Sequence, residues 1–188
     1  RGPLADPSCS GMGKSGGWPL NRVKPPRTNA EFIKIRRGWL KAFDGDSFIF
    51  DYYLWNPYIR NLNPLGFAGL INSDVRSLAD LDLNGLVSCQ ALRAFYPIGL
   101  PMVSMAETLV NRDVDLGSLI DEHLDACFGI NSTVVKNHLT TIGEILSPTK
   151  KDPHKGSLHS GDPGRARKLI EEMNLFSGEL EGLTHTND

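Results

Sequence analysis

The sequence predicts an α/β fold, namely the C-terminal βα units of an incomplete (β/α)8 barrel followed by a helical extension. Two short apolar runs, FIFDYYLW at residues 48–55 and LVSCQ at residues 86–90, are typical of strands buried on both faces. A helical pattern of some fifteen residues separates them, as in a βαβ unit, and this predicts parallel strands. Because two strands cannot close a sheet, we interpret the chain as the last part of a larger barrel.

The segment 1–28 is predicted to be loop-rich, because it holds five prolines and five glycines. We assign residues 29–110 to the partial barrel. Its first helix begins after a cap at Thr28 or Asn29, and a second helix runs over residues 66–81 between the two strands. A third helix is predicted after Pro101 and completes this part of the chain.

The segment 111–146 is predicted to be a helical extension without strands. Apolar residues recur at helical spacing over residues 116–128 and 132–146, with Asp115 as a cap and Gly129 as a terminator. Residues 147–161 are polar and carry no apolar periodicity, which predicts a flexible linker. Residues 162–188 are predicted to form a terminal helix and tail.

Composition and charge argue against several function classes. The net charge of −2 lacks the basic excess of a nucleic-acid-binding domain. No apolar run approaches the roughly 18 residues that could span a membrane. Three cysteines without a CxxC pair and five scattered histidines indicate no metal site, and we expect no cofactor. Cys89 could be a nucleophile, although a small buried side chain is the favoured interpretation.

The candidate site lies where the two strands end, because the carboxyl ends of parallel strands share one side of a sheet. Side chains alternate along a strand, so Ile49, Asp51, Tyr53 and Trp55 share a face, which we assign to the barrel lumen. Tyr52 is assigned to the core. Site residues predicted on these grounds are Asp51 as the catalytic group and Tyr53, Trp55, Gln90 and Arg93 as substrate-binding groups. For Tyr53 and Trp55, core packing remains the alternative to stacking on a sugar ring.

The runs FIFDYYLW, GLVSCQALRAFYPIGLPM and DEHLDACFG resemble a bacterial family described as a domain of unknown function and grouped with TIM-barrel glycoside hydrolases. Its members carry FDYHLMW, GLVSCQxQRAFFPTGLPMY and LDELxDEYFxAxFG, and the similarity covers roughly residues 27–146. Positions that the shared motifs pick out are Asp51, Tyr52, Ser88, Cys89, Gln90, Arg93, Phe95 and Pro97. The chain departs at Tyr53, where the family often has His, and at Leu92, where it often has a polar residue.

The resemblance implies the C-terminal portion of a glycoside-hydrolase-like TIM-barrel protein that acts on or binds carbohydrate. Glycoside hydrolysis usually needs two carboxyl groups about 5–10 Å apart. Asp51 would be one, with Glu107 a distant second, so the second is expected from a missing N-terminal barrel half, which the chain would need as a partner. The alternatives are a non-catalytic carbohydrate-binding or scaffolding fragment, and a helical interaction module built on residues 100–146.

Overall fold

The computed structural model describes residue 26 and residues 28–54, 63–89, 99–146 and 163–184. Its α-helices are α1 (Asn29–Ala42), α2 (Pro64–Ser77), α3 (Leu100–Val110), α4 (Leu116–Phe128), α5 (Ser132–Leu146) and α6 (Pro163–Thr184). Its strands are β1 (Phe48–Asp51) and β2 (Gly85–Ser88), and short 3-10 helices cover Ala79–Leu81 and Gly129–Asn131. The predicted segments 1–28 and 147–161 lie almost entirely outside the described residues.

The predicted incomplete (β/α)8 barrel is wrong. The described part of the chain is 76% helix, and its only strands are two parallel ones of four residues each. One βαβ unit is present, and α3 to α6 then follow without another described strand. The step from one βαβ unit to a barrel was wrong because a single βαβ unit occurs in open sheets as well as in closed barrels. It does not specify how many units follow.

The parallel pairing predicted from the strand–helix–strand order is confirmed. Phe48 pairs with Gly85, and the register runs on to Asp51 opposite Ser88. The first strand is shorter than expected, since it ends at Asp51 rather than Trp55. The Asp51 side chain accepts a hydrogen bond from the next backbone N–H, that of Tyr52, at 2.6 Å. Such local bonds compete with a strand ladder, which explains the early end.

Helix boundaries follow local capping chemistry. The Thr28 hydroxyl accepts from the Glu31 N–H at the start of α1, and the Asp115 carboxylate accepts from the Ser118 N–H at the start of α4. Gly129 ends α4 with a φ of 54°, a conformation that glycine adopts without steric cost. The predicted extents of α4 and α5 agree with the structure residue for residue.

The core is built from three neighbouring apolar clusters. The first joins one face of the sheet to α2 and α3, with Ile71 fully buried at its centre. The second lies between α2, α4 and α5 around Leu100 and Leu124. The third fixes α6 to α5 through Leu169, Ile142 and Leu146. The sheet is thus covered by helices on one face, and the rest of the described chain packs as helix on helix.

Candidate functional site

The C-terminal ends of the two strands meet at the pair Asp51 and Ser88. Asp51 is buried, and its backbone carbonyl accepts from the Cys89 N–H at 2.9 Å. This bond continues the contact between the strands one residue past β2. The expectation that both strands end on the same side of the sheet is therefore confirmed for the described residues.

Ser88 carries an unusual hydroxyl. Its Oγ is buried and has no hydrogen-bond partner among the residues that the structure describes. Buried hydroxyls nearly always have a partner, because removing one from water without replacing its hydrogen bonds costs about 1–3 kcal/mol. The Oγ atom is itself closed to solvent, so a hydrogen-bonding group from outside the chain would reach it only after the end of the strand pair opens. Cys89, the next residue, is a partly buried free thiol.

Tyr53 lies in the apolar core rather than at an open site. Its side chain is buried in the first cluster, and its hydroxyl donates a hydrogen bond of 2.6 Å to Asp74 Oδ2 on α2. The alternation argument correctly put Tyr53 and Asp51 on the side of Ile49. That side packs against the helices, so the prediction that it faces a barrel lumen is wrong. A substrate-binding role for Tyr53 stays a prediction.

The other three predicted substrate-binding residues, Trp55, Gln90 and Arg93, lie outside the described residues and remain predictions. Of the five predicted site residues, the structure places two, Asp51 and Tyr53. They share one side of the strand end, although the Tyr53 hydroxyl is directed to α2.

Tyr52 lies at the surface, although the sequence predicts it in the core. Its side chain is 50% exposed, and its ring meets the Phe50 ring edge to face at 5.1 Å. The sequence assigns Tyr52 to the core because its pattern predicts that both faces of β1 are buried. The signal that could have identified it is its alternation with Phe48 and Phe50, once the sheet is known to have one uncovered face.

The described residues contain no group of three or more His, Cys, Asp or Glu side chains placed to hold a metal ion. Within the same ranges, no helix is both long enough and apolar enough to cross a membrane.

Comparison of the chain with protein-family models, with curated proteins and with solved structures finds no match.

Proposed function

We propose that the chain recognises carbohydrate at the C-terminal end of the β1–β2 pair. The observation that carries the proposal is the buried Ser88 hydroxyl, which has no partner among the described residues and lies opposite Asp51. A sugar hydroxyl can both donate and accept, so it can satisfy such a group.

The sequence supports the same class of ligand. The motifs around Asp51 and Ser88 are those that resemble the glycoside-hydrolase-like family of unknown function, and we propose kinship with it. In the sequence, Trp55 follows Asp51 by four positions and Gln90 follows Ser88 by two. Their side chains are of the types that stack on sugar rings and hydrogen-bond to sugar hydroxyls.

Recognition is proposed rather than hydrolysis. Hydrolysis usually requires a second carboxyl group about 5–10 Å from the first. Asp74 lies in the core beside Tyr53, but it is 1% exposed and its carboxylate holds the Tyr53 hydroxyl. It is therefore not open to a substrate.

The proposal is tested by titrating the purified chain with soluble cello-, xylo-, chito- and malto-oligosaccharides, using isothermal calorimetry. We expect binding of at least one class. Ser88→Ala should weaken that binding about 2- to 10-fold, as expected for a lost hydrogen bond worth about 0.5–1.5 kcal/mol. The stability of this variant should stay unchanged or rise slightly, because no described hydrogen bond is lost.

Tyr52 supplies the matched control. Its ring packs on Phe50, on the face of the sheet opposite to that of Asp51 and Ser88, so Tyr52→Ala should leave sugar binding unchanged. Absence of binding to all four classes, or equal affinity of Ser88→Ala and the unmodified chain, would contradict the proposal. Release of new reducing ends during the titration would instead establish hydrolysis.

A further inference from the structure

One face of the two-stranded sheet is apolar, and no described residue of the chain covers it. The side chains of Phe48, Phe50 and Val87 lie on this face, and the fourth position is Gly85, which adds no side chain. The opposite face packs on the first apolar cluster. Parallel sheets in proteins are ordinarily covered on both faces. We call this the open sheet face.

Helix α1 also carries an uncovered apolar side. Ile35 and Trp39 lie on this side, and Phe43, the residue directly after α1, continues it with its ring 5.7 Å from that of Trp39. The neighbouring side of α1 is already docked, since the buried Arg36 guanidinium donates from Nε to the Leu81 carbonyl. We call the three exposed residues the α1 stripe. The six residues of the open sheet face and the α1 stripe have exposed fractions between 44% and 66%.

We propose that two copies of the chain associate reciprocally, with the α1 stripe of each copy covering the open sheet face of the other. A helix is the usual cover for a sheet face in layered α/β structures. The dimensions agree, because four strand residues span about 13 Å. The part of α1 from Ile35 to its last residue, Ala42, spans about 10 Å, and Phe43 follows directly. Two neighbouring strands are together about as wide as one helix, roughly 10 Å.

The available area favours a second copy bound through both contacts. Aromatic side chains bury about 150–250 Å² each, so the six half-exposed residues offer on the order of 600 Å² per copy. One stripe on one face would bury about 600 Å² in all, which is below the size of a stable interface. Two reciprocal contacts bury about 1,200 Å², the lower limit for stable association. The dimer is therefore expected to have two-fold symmetry.

The oligomeric state tests the inference. We expect sedimentation equilibrium of the full chain to give a dimer. Trp39→Asp and Phe50→Asp should each raise the dimer dissociation constant by about 100-fold or more, since each dimer contains the buried charge twice. Both residues are exposed in the single chain, so circular dichroism should show unchanged helix content. Val110→Asp, at an 87% exposed apolar residue of α3, is the matched control and should leave the dimer intact.

Mixing the two variants tests reciprocity. A Trp39→Asp copy retains an unmodified sheet face, and a Phe50→Asp copy retains an unmodified stripe, so their mixture contains one undamaged contact. A dimer built on a single contact would be restored to full affinity in this mixture. In the reciprocal dimer the undamaged contact buries only about 600 Å², so we expect the mixture to pair far more weakly than the unmodified chain, as measured by energy transfer between labelled copies. A mixture that pairs as tightly as the unmodified chain would exclude the reciprocal arrangement. A monomeric unmodified chain at high concentration, or a dimer that survives both substitutions, would overturn the inference.

Discussion

At the scale of single residues, a polar side chain at a strand end can either stabilise the core or bind a ligand. Tyr53 illustrates the first role, because its ring fills the first apolar cluster and its hydroxyl reaches Asp74 across 21 positions of sequence. Ser88 illustrates the second, because its buried hydroxyl has no described partner. The two roles differ in whether a hydrogen-bond partner from a distant helix is present. The type of residue does not distinguish them.

Replacing Tyr53 by Phe separates these roles experimentally. The change keeps the ring and removes the hydroxyl that donates to Asp74, so we expect the free energy of unfolding to fall by about 1–3 kcal/mol. Urea denaturation measures this loss. Tyr52→Phe removes the same atom from a half-exposed ring and should change stability by less than about 0.5 kcal/mol. Weakened sugar binding by Tyr53→Phe without a loss of stability would restore Tyr53 to the site.

At the scale of elements, α6 is held to α5 by a histidine between two carboxylates. His138 on α5 hydrogen-bonds through Nδ1 to Glu172 and through Nε2 to Glu179 at 3.1 Å, and its ring lies 4.6 Å from that of Phe176. Burial of the ring lowers the pKa of His138, but the hydrogen bonds and charges of the two glutamates outweigh it, so the pKa is raised above its ordinary value of 6.5. The protonated ring therefore bridges both glutamates.

This arrangement predicts a pH-dependent stability. Because the pKa is raised in the folded chain, the contribution of His138 is complete below about pH 6.5 and is lost as the pH rises through the folded value. We expect the free energy of unfolding to decrease between pH 6.5 and pH 9, as measured by urea denaturation. His138→Gln, which cannot be protonated, should abolish this dependence. His123→Gln on α4 is the control and should preserve it.

At the scale of the whole molecule, the described chain is a set of helices built around one βαβ unit. The first cluster joins the sheet, α2 and α3, whereas the third involves α6 and the end of α5. The helices α2 and α3 approach closely, since the Ser104 hydroxyl donates to the Ala68 carbonyl and Asn72 donates to Thr108. We therefore expect the stability of the molecule to be concentrated around α2 and α3.

Two alanine substitutions test this distribution. Ile71→Ala opens a cavity in the first cluster and should cost about 2–5 kcal/mol of global stability. Leu169→Ala removes the same kind of contact from α6, and we expect faster hydrogen exchange confined mainly to α6 and the end of α5. Hydrogen exchange combined with urea denaturation distinguishes a loss of global stability from a local loss at α6. Equal loss of protection across all helices in both variants would contradict the distribution.

The sequence by itself determined the local elements of this protein. The caps Thr28 and Asp115, the terminator Gly129, the extents of α4 and α5 and the parallel pairing of the two strands all follow from residues close together in the chain. The candidate site was partly predictable for the same reason, since Asp51 and Ser88 end neighbouring parallel strands.

Only the tertiary structure decided how many strands assemble, which face of β1 is buried and what each side chain meets. Alternation puts Tyr52 and Tyr53 on opposite faces, but it cannot say which face α2 covers. The apolar runs are typical of a sheet covered on both sides, yet Phe50 is exposed and the described residues form no barrel. The physical reason is that burial depends on contacts between segments far apart in sequence, whereas periodicity and capping depend on neighbours.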